Sequence, residues 1–303
     1  MHSAALQARV QHVYDFAVLE RLPEGPTSLK VTAKRLLSGP TLSSGKSSTV
    51  GAVLCGSHII CTLGWQTQGS GAKPHTHPNE QFNYILQGTM VGDIEGDRVF
   101  APKGTILHTP GMAVHTGLAC PDEDLVFLAI KDARHGIIGP PVDGKYDGPN
   151  FLSGFGTRAA EPKQTTAQLI AAARDLPPGP GRRYVYDMAP DASAAVGLTS
   201  AAMTPGPQLG LPTGVTGNLL VGELLQVGVL RLAPGARITR HTHQNEQFTF
   251  VVEGELDAEL EDEPMRVDER CMLHVPAGMA HALLAPRGAV VVIAQDKRAS
   301  YTA

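Results

Sequence analysis

The segment His75-Thr76-His77-Pro78-Asn79-Glu80-Gln81-Phe82 is answered 166 residues later by His241-Thr242-His243-Gln244-Asn245-Glu246-Gln247-Phe248. A third histidine trails each pair at one spacing, His115 in the first copy and His281 in the second. Two imidazoles one residue apart, with a third further along, form a metal-ligand pattern, because neutral imidazole nitrogen suits divalent transition ions. In an extended chain, residues two apart share a face. His75, His77 and Gln81 then point one way and Glu80 the other; His241, His243 and Gln247 repeat the arrangement with Glu246 turned away. The candidate ligand sets are His75, His77, Gln81 and His115, and His241, His243, Gln247 and His281. One such pair on a polar loop would read as surface histidines. Two complete copies in register read as a duplicated metal site.

Three neutral imidazoles and a neutral amide oxygen leave a divalent ion its full charge, with one or two positions open to water or substrate. Such a centre is a strong Lewis acid and favours an anionic oxygen donor such as an enolate, catecholate or carboxylate. It lacks a ligand carboxylate to take a proton, so a base must come from elsewhere. His108 and His274 keep the 166-residue offset and are the acid/base candidates, the alternative being a repeated structural histidine. Asn83 and Thr249 continue the metal-facing parity, and Trp65 and Arg231 occupy equivalent positions ahead of the motif. These four are the candidate substrate-pocket residues. Tyr84 and Phe250, of the other parity, are expected in the core, and Glu80 and Glu246 in a solvated or strand-pairing role.

The elements that must position these groups are themselves repeated. Gly88 and Gly254, and Pro110 and Pro276, hold the 166-residue register. Upstream, Val13-Tyr14-Asp15 returns as Val185-Tyr186-Asp187, and Gly39-Pro40 as Gly206-Pro207. The halves are 1–160 (core about 50–135) and 181–303 (core about 217–298), joined by 161–180. Within that joint Thr165 to Arg174 reads as a short helix, stopped by Pro177-Pro178-Gly179-Pro180-Gly181. Ala4 to Glu20 is expected as a helix or arm, with Val13 to Val18 also able to pair as a strand. Elsewhere the signal is β. Ser57 to Leu63, Gln81 to Leu86, Leu224 to Leu230, Gln247 to Val252 and Val290 to Ala294 are short, apolar segments. Glu255 to Leu260 alternates polar and apolar. Many short strands at this spacing predict a sandwich or barrel in each half.

Composition narrows the functional classes. The chain of 303 residues carries a net charge of −4 and no basic run, which points away from nucleic acid or an anionic membrane as partner. It has no apolar run of membrane-spanning length and no leading basic-then-apolar signal. Its four cysteines form no close pair, which reads as free thiols in a reducing compartment. A cytoplasmic protein is expected.

The order and spacing of Gly69, His75, His77, Gln81 and Gly88, and of Gly235, His241, His243, Gln247 and Gly254, resemble the first motif of the cupin superfamily. Many members carry glutamate where Gln81 and Gln247 stand. Gly104, Pro110 and His115 resemble the second motif, with Gly111 one position early. Its second copy has Pro276, Gly278 and His281, but Arg270 in place of the leading glycine. An asparagine often found four residues past the histidine is Ala119 in one copy and Ala285 in the other. The resemblance implies an all-β bicupin, two tandem double-stranded β-helix (jelly-roll) barrels with a short helical arm and linker, each holding one divalent transition metal. Iron(II) is favoured, with nickel, manganese, zinc or cobalt as alternatives. It leaves the reaction open, because cupins include dioxygenases, decarboxylases, isomerases, lyases, storage proteins and regulators. The leading expectation is an iron(II) dioxygenase cleaving a small phenolic, enol or diketone substrate. The alternatives are a redox-neutral isomerase, cyclase or lyase, and a non-catalytic metal-stabilised binding protein. A small anionic molecule is the expected partner, and a homodimer is compatible with the sequence.

Overall fold

In the computed structural model, which describes residues 11–17, 32–36, 46–135, 139–176, 183–189 and 200–297, the apolar segments become antiparallel strands. The first half has a seven-stranded sheet in the order Val185–Asp187, Thr105–Thr109, Gln81–Gln87, Leu125–Asp132, Ile59–Gln66, Val50–Cys55 and Thr32–Leu36. Its second sheet has five strands: Asn150–Phe151, Ser70–Gly71, His115–Ala119, Thr89–Ile94 and Asp97–Pro102. Ile85, Leu107 and Ala129 of the first sheet pack with Met90, Ile94 and Ala119 of the second to fill the barrel. The second half repeats this plan, except that Gln247–Leu260 runs unbroken through both layers and so links ten strands by hydrogen bonds. Gly88 (φ 75°) and Gly254 (φ 80°) sit at matching bends. A Cβ at Gly88 would lie 2.6 Å from the Asp124 carbonyl oxygen, so both room and backbone conformation require glycine there.

The repeated Val-Tyr-Asp segments do not stay with the halves in which they lie. Val13–Asp15 is a strand, and it pairs with Cys271–Val275 of the second barrel (Val13 with Leu273, Tyr14 with Met272, Asp15 with Cys271). Val185–Asp187 pairs in the same register with Thr105–Thr109 of the first barrel (Val185 with Leu107, Tyr186 with Ile106, Asp187 with Thr105). The expected N-terminal helix is therefore replaced, over the described part of Ala4 to Glu20, by a strand whose backbone completes another barrel's edge. Residues 4–10 and 18–20 lie outside the described residues, as do Gly39-Pro40 and Pro177 to Gly181. The expected linker helix is present as Thr166–Ala173. Its capping box joins the Thr165 hydroxyl to the Gln168 backbone and the Gln168 side chain to the Thr165 backbone.

The largest apolar cluster belongs to neither barrel alone. Tyr14, Leu54, Phe82, Tyr84 and Ile130 pack with Tyr186, Leu220, Val227, Phe248 and Phe250 where the two barrels meet. Tyr84 and Phe250 thus occupy the core, as their parity predicts. Glu80 and Glu246 depart from the solvated role expected of them, being 1% and 3% exposed. Each reaches into the other half. Glu80 accepts backbone hydrogen bonds from Glu223, Leu224 and Leu225 (2.7, 2.9 and 3.1 Å). Glu246 accepts them from Ser57, His58 and Ile59 (2.8, 2.8 and 3.1 Å). A buried carboxylate needs such donors, and the two barrels supply them reciprocally. No helix among the described residues is long and apolar enough to cross a membrane.

Candidate metal centres

Strand alternation assembles each site. Gln81 sits in register between Thr109 and Lys131 of the neighbouring strands, and Asn83 between Leu107 and Ala129. In the second barrel Gln247 sits between Val275 and Gln295, and Thr249 between Leu273 and Ile293. The histidines arrive from the other sheet: His75 and His115 bond each other's backbones (both 2.9 Å), and His241 pairs with His281. Ring centroids are 4.2 Å apart for His75–His115, 4.7 Å for His77–His115 and 5.6 Å for His75–His77. In the second triad the corresponding distances are 4.3, 4.8 and 5.7 Å.

Every ring is oriented by its own backbone. The Nδ1–H groups of His75, His77 and His115 donate to the carbonyls of Lys73, Asn79 and Ala113 (2.8, 3.0 and 2.9 Å). Those of His241, His243 and His281 donate to Thr239, Asn245 and Met279 (2.9, 2.8 and 3.0 Å). That fixes the proton on Nδ1 and leaves each Nε2 lone pair facing inward, the tautomer a metal requires. The potential ligand atoms of each triad lie within 4.8 Å of one another. Nε2 of His115 and of His281 is buried with no hydrogen-bond partner among the described residues, which a bound ion would satisfy. Burial, reinforced by Lys131, holds His77 down at about 2. Burial holds His115 and His281 at about 4, and His75 well below its usual range. Those four rings are neutral and ready to ligate.

The glutamines are placed to join them. Gln81 donates its amide N–H to Asn83 Oδ1 (2.8 Å) and lines one cavity with His75 and His115. Gln247 donates to Thr249 Oγ1 (3.1 Å), and its oxygen lies 3.2 Å from His243 Nε2. With the His243 proton on Nδ1, those are two lone pairs face to face. Two ligands at right angles on an ion about 2.1 Å from each would be roughly 3.0 Å apart. The residues present fit a transition metal in both barrels.

The surroundings differ. In the first site His77 and His115 are buried and His75 is half-buried. Pro141 bridges to His75, the Val142 N–H bonds the Pro74 carbonyl (2.9 Å), and Lys73 ties down Asp143 and Asp147 (2.8 and 2.6 Å). These contacts hold the segment 139–147 against residues 73–75. Beside the triad is a cavity of about 110 Å³ lined in part by His75, Gln81, Asn83, Met90 and Phe127, and by two lysines. Lys46 bonds the Gly139 carbonyl, and Lys131 donates to His77 Nε2 (3.1 Å). Burial lowers Lys46 to about 8 and Lys131 to about 7. In the second site His241 is exposed and His243 half-buried. That site opens into a cleft of about 210 Å³ walled by Leu209, Leu211, Ile238, Leu283 and Ile293.

Three expectations need correction. His108 and His274 lie on the opposite face of the sheet from the triads, in register with Phe82 and Phe248. Their Nε2 atoms meet Glu80 and Glu246 (2.9 and 3.0 Å), so they brace the inter-barrel carboxylates and are not placed to move protons at the metal sites. Trp65 is 46% exposed and lines an outer groove with Phe16 and Arg270. Arg231 is exposed too. Strand alternation turns the adjoining Gln66 and Leu230 inward instead. Asn83 does line the first cavity, and Thr249 holds the second glutamine. Sequence reading missed Lys46 and Lys131. The parity linking Lys131 to Gln81 across the sheet was the available signal, whereas Lys46 lies in a Ser/Gly loop with no periodicity to orient it.

A cupin-domain family model matches residues 65–131 and 228–294, one match in each barrel. No curated protein sequence matches the chain. Among solved structures, AerE from Microcystis aeruginosa is similar at a TM-score of 0.57 and 12% identity, over 88% of this chain and 97% of that one. Salicylate 1,2-dioxygenase from Pseudoaminobacter salicylatoxidans with gentisate gives 0.52 and 18%, over 94% and 80%. A variant of Bacillus subtilis oxalate decarboxylase gives 0.55 and 12%, over 95% and 77%. At these identities the likeness is one of fold. Two barrels, each with a family match covering its histidine triad, make the chain a member of the cupin superfamily, and within it a bicupin.

Proposed function

We propose that the chain is a metal-dependent enzyme acting on a small anionic oxygen-donor substrate, with the first barrel as the working site and dioxygenase chemistry as its reaction. His75, His77, His115 and the Gln81 amide oxygen would hold the ion there, and His241, His243, His281 and Gln247 would hold a second one. When bound, such an ion supplies Lewis acidity and, if it is iron(II), a site for dioxygen chemistry. The observation that carries the reading is the neutral ligand set, gathered in the first barrel beside a cavity that two buried lysines also line. Nothing in the set offsets the ion's charge, so an enolate, phenolate or carboxylate is the favoured exogenous ligand. Asn83 orients Gln81. The similarity in fold to a salicylate dioxygenase lends support of the same kind.

A second reading is favoured by one residue. Lys131 brings a proton-carrying amine to the metal-facing side of His77, which suits redox-neutral isomerisation or elimination. Oxygen uptake by metal-replete protein, measured with phenolic acids, enols and diketones, separates the two. Substrate-dependent uptake supports the dioxygenase, turnover without uptake supports the second reading, and no turnover with any transition ion removes both.

A further inference from the structure

We propose that Lys46 and Lys131 form an anion cage in the first barrel that selects ligands bearing a carboxylate, and that the second barrel has no such selectivity. The proposal rests on the reading above only in placing the ligand in that cavity. Both lysines are buried, at 3% and 7% exposure, and both line the one cavity. Among the described residues, the rest of that cavity's lining contains no carboxylate, and Thr62, Gln66, Gln81, Asn83 and Thr109 give it polar, uncharged walls. Two ammonium groups lining one cavity repel each other, and an anion between them converts that repulsion to attraction. Lys46 has three donors and gives one to the Gly139 carbonyl, so it keeps others for a ligand. Lys131 lies beside Gln81 in the sheet, so its charge sits next to the ligand set, within reach of a substrate that also touches the metal.

The second barrel provides the internal control. The position beside Gln247 is Gln295, which bonds the Gln247 oxygen (2.6 Å), and the facing wall is leucine. Its triad has the same spacing as the first, so neither the barrel nor the histidine geometry needs lysine there. The cationic pair serves the first cavity's contents.

The test is calorimetric titration of the full chain, as purified and after chelation, with formate, oxalate, benzoate and salicylate, and with benzamide as the neutral counterpart of benzoate. Chelated protein has no metal to bind the anion, so this arm addresses the lysines even if the metal reading fails. Wild type should bind at least one carboxylate saturably in both states and discriminate against benzamide. Lys131→Gln, which installs the residue the second barrel already tolerates, and Lys46→Met should each weaken carboxylate binding tenfold or more. Lys46→Arg should keep most of it. A melting curve on each variant checks folding. Carboxylate affinity unchanged in both variants, benzamide binding as tightly as benzoate, or no saturable carboxylate binding by wild type would each overturn the proposal.

Discussion

The two barrels hold the same triad and expose it to different worlds. Corresponding ring-centroid distances agree within 0.1 Å, and every Nδ1 is anchored to a backbone carbonyl two residues away. Around that constant centre the first barrel has two buried lysines, while the second has leucines and an exposed His241. Ligand geometry is thus set by local backbone, which the duplication copied. Pocket character is set by single inward-facing positions such as 131 and 295, and those diverge without disturbing the centre.

The largest expected effect concerns what the barrels share. Glu80→Gln and Glu246→Gln each break a buried carboxylate from three backbone donors and a histidine, and should cost about 3–5 kcal/mol in denaturant unfolding. Near-equal losses would sharpen the picture of a reciprocal brace, whereas a loss on one side alone would break it. Burial by itself would raise both carboxyls. The hydrogen bonds from His108 and His274 and from the facing backbone outweigh it, leaving both below their ordinary 4.5. Their contribution is therefore present above about pH 4.5 and is lost as pH falls through the lower folded value. The double glutamine variant should show a flatter acid limb than wild type.

Next in size is the contrast between the sites. His77→Ala should lower turnover on the order of 100-fold or more, His243→Ala only a few-fold, and each should remove half of the bound metal. Equal losses of activity would put the working site in both barrels. Gln81→Glu should keep metal but weaken an anionic ligand about 10–100-fold through added negative charge, whereas Gln247→Glu should leave that affinity nearly unchanged. Metal content and affinity measured on the same sample decide it. If affinity holds in Gln81→Glu, the charge argument is wrong.

The smallest effect concerns the exchanged arms. Tyr186 donates its hydroxyl towards the Arg183 and Ala201 carbonyls (both 2.9 Å) and accepts from the Ala201 N–H (3.0 Å), whereas among the described residues Tyr14 donates to the Gln11 carbonyl (2.8 Å). Tyr186→Phe should cost about 1–2 kcal/mol and Tyr14→Phe about 0.5–1 kcal/mol, read from chemical denaturation. Equal costs would mean that the two arms are held by packing alone.

Much of this was legible in the sequence because period-two arithmetic works within one strand. It placed the histidines and glutamines on one face and Tyr84 and Phe250 on the other. It also turned Glu80 away from the site correctly, but could not say that the far side was a second barrel and not water. His108 failed for the same reason, since a repeated histidine near the motif gains its meaning from the carboxylate it meets across the sheet. The exchanged arms were hidden more deeply: Val13 meets Leu273 across 260 residues, and no local pattern carries that distance. Trp65 and Arg231 show the limit of matching positions between copies, because equivalence in the repeat gives no orientation until the strand's parity is fixed.

The reciprocal stapling of the turns at Glu223–Leu225 and Ser57–Ile59 bears on how such a molecule can change. Two identical single barrels paired about a two-fold axis would make the same contacts, but any substitution in one would appear in both. A cationic pocket would then arrive in duplicate, together with the burden of burying twice as many charges. Joining the copies in one polypeptide keeps the paired architecture while freeing each position to vary separately. Lysine at 131 and glutamine at 295 are what that freedom looks like, symmetry retained in the frame and surrendered in the furnishings.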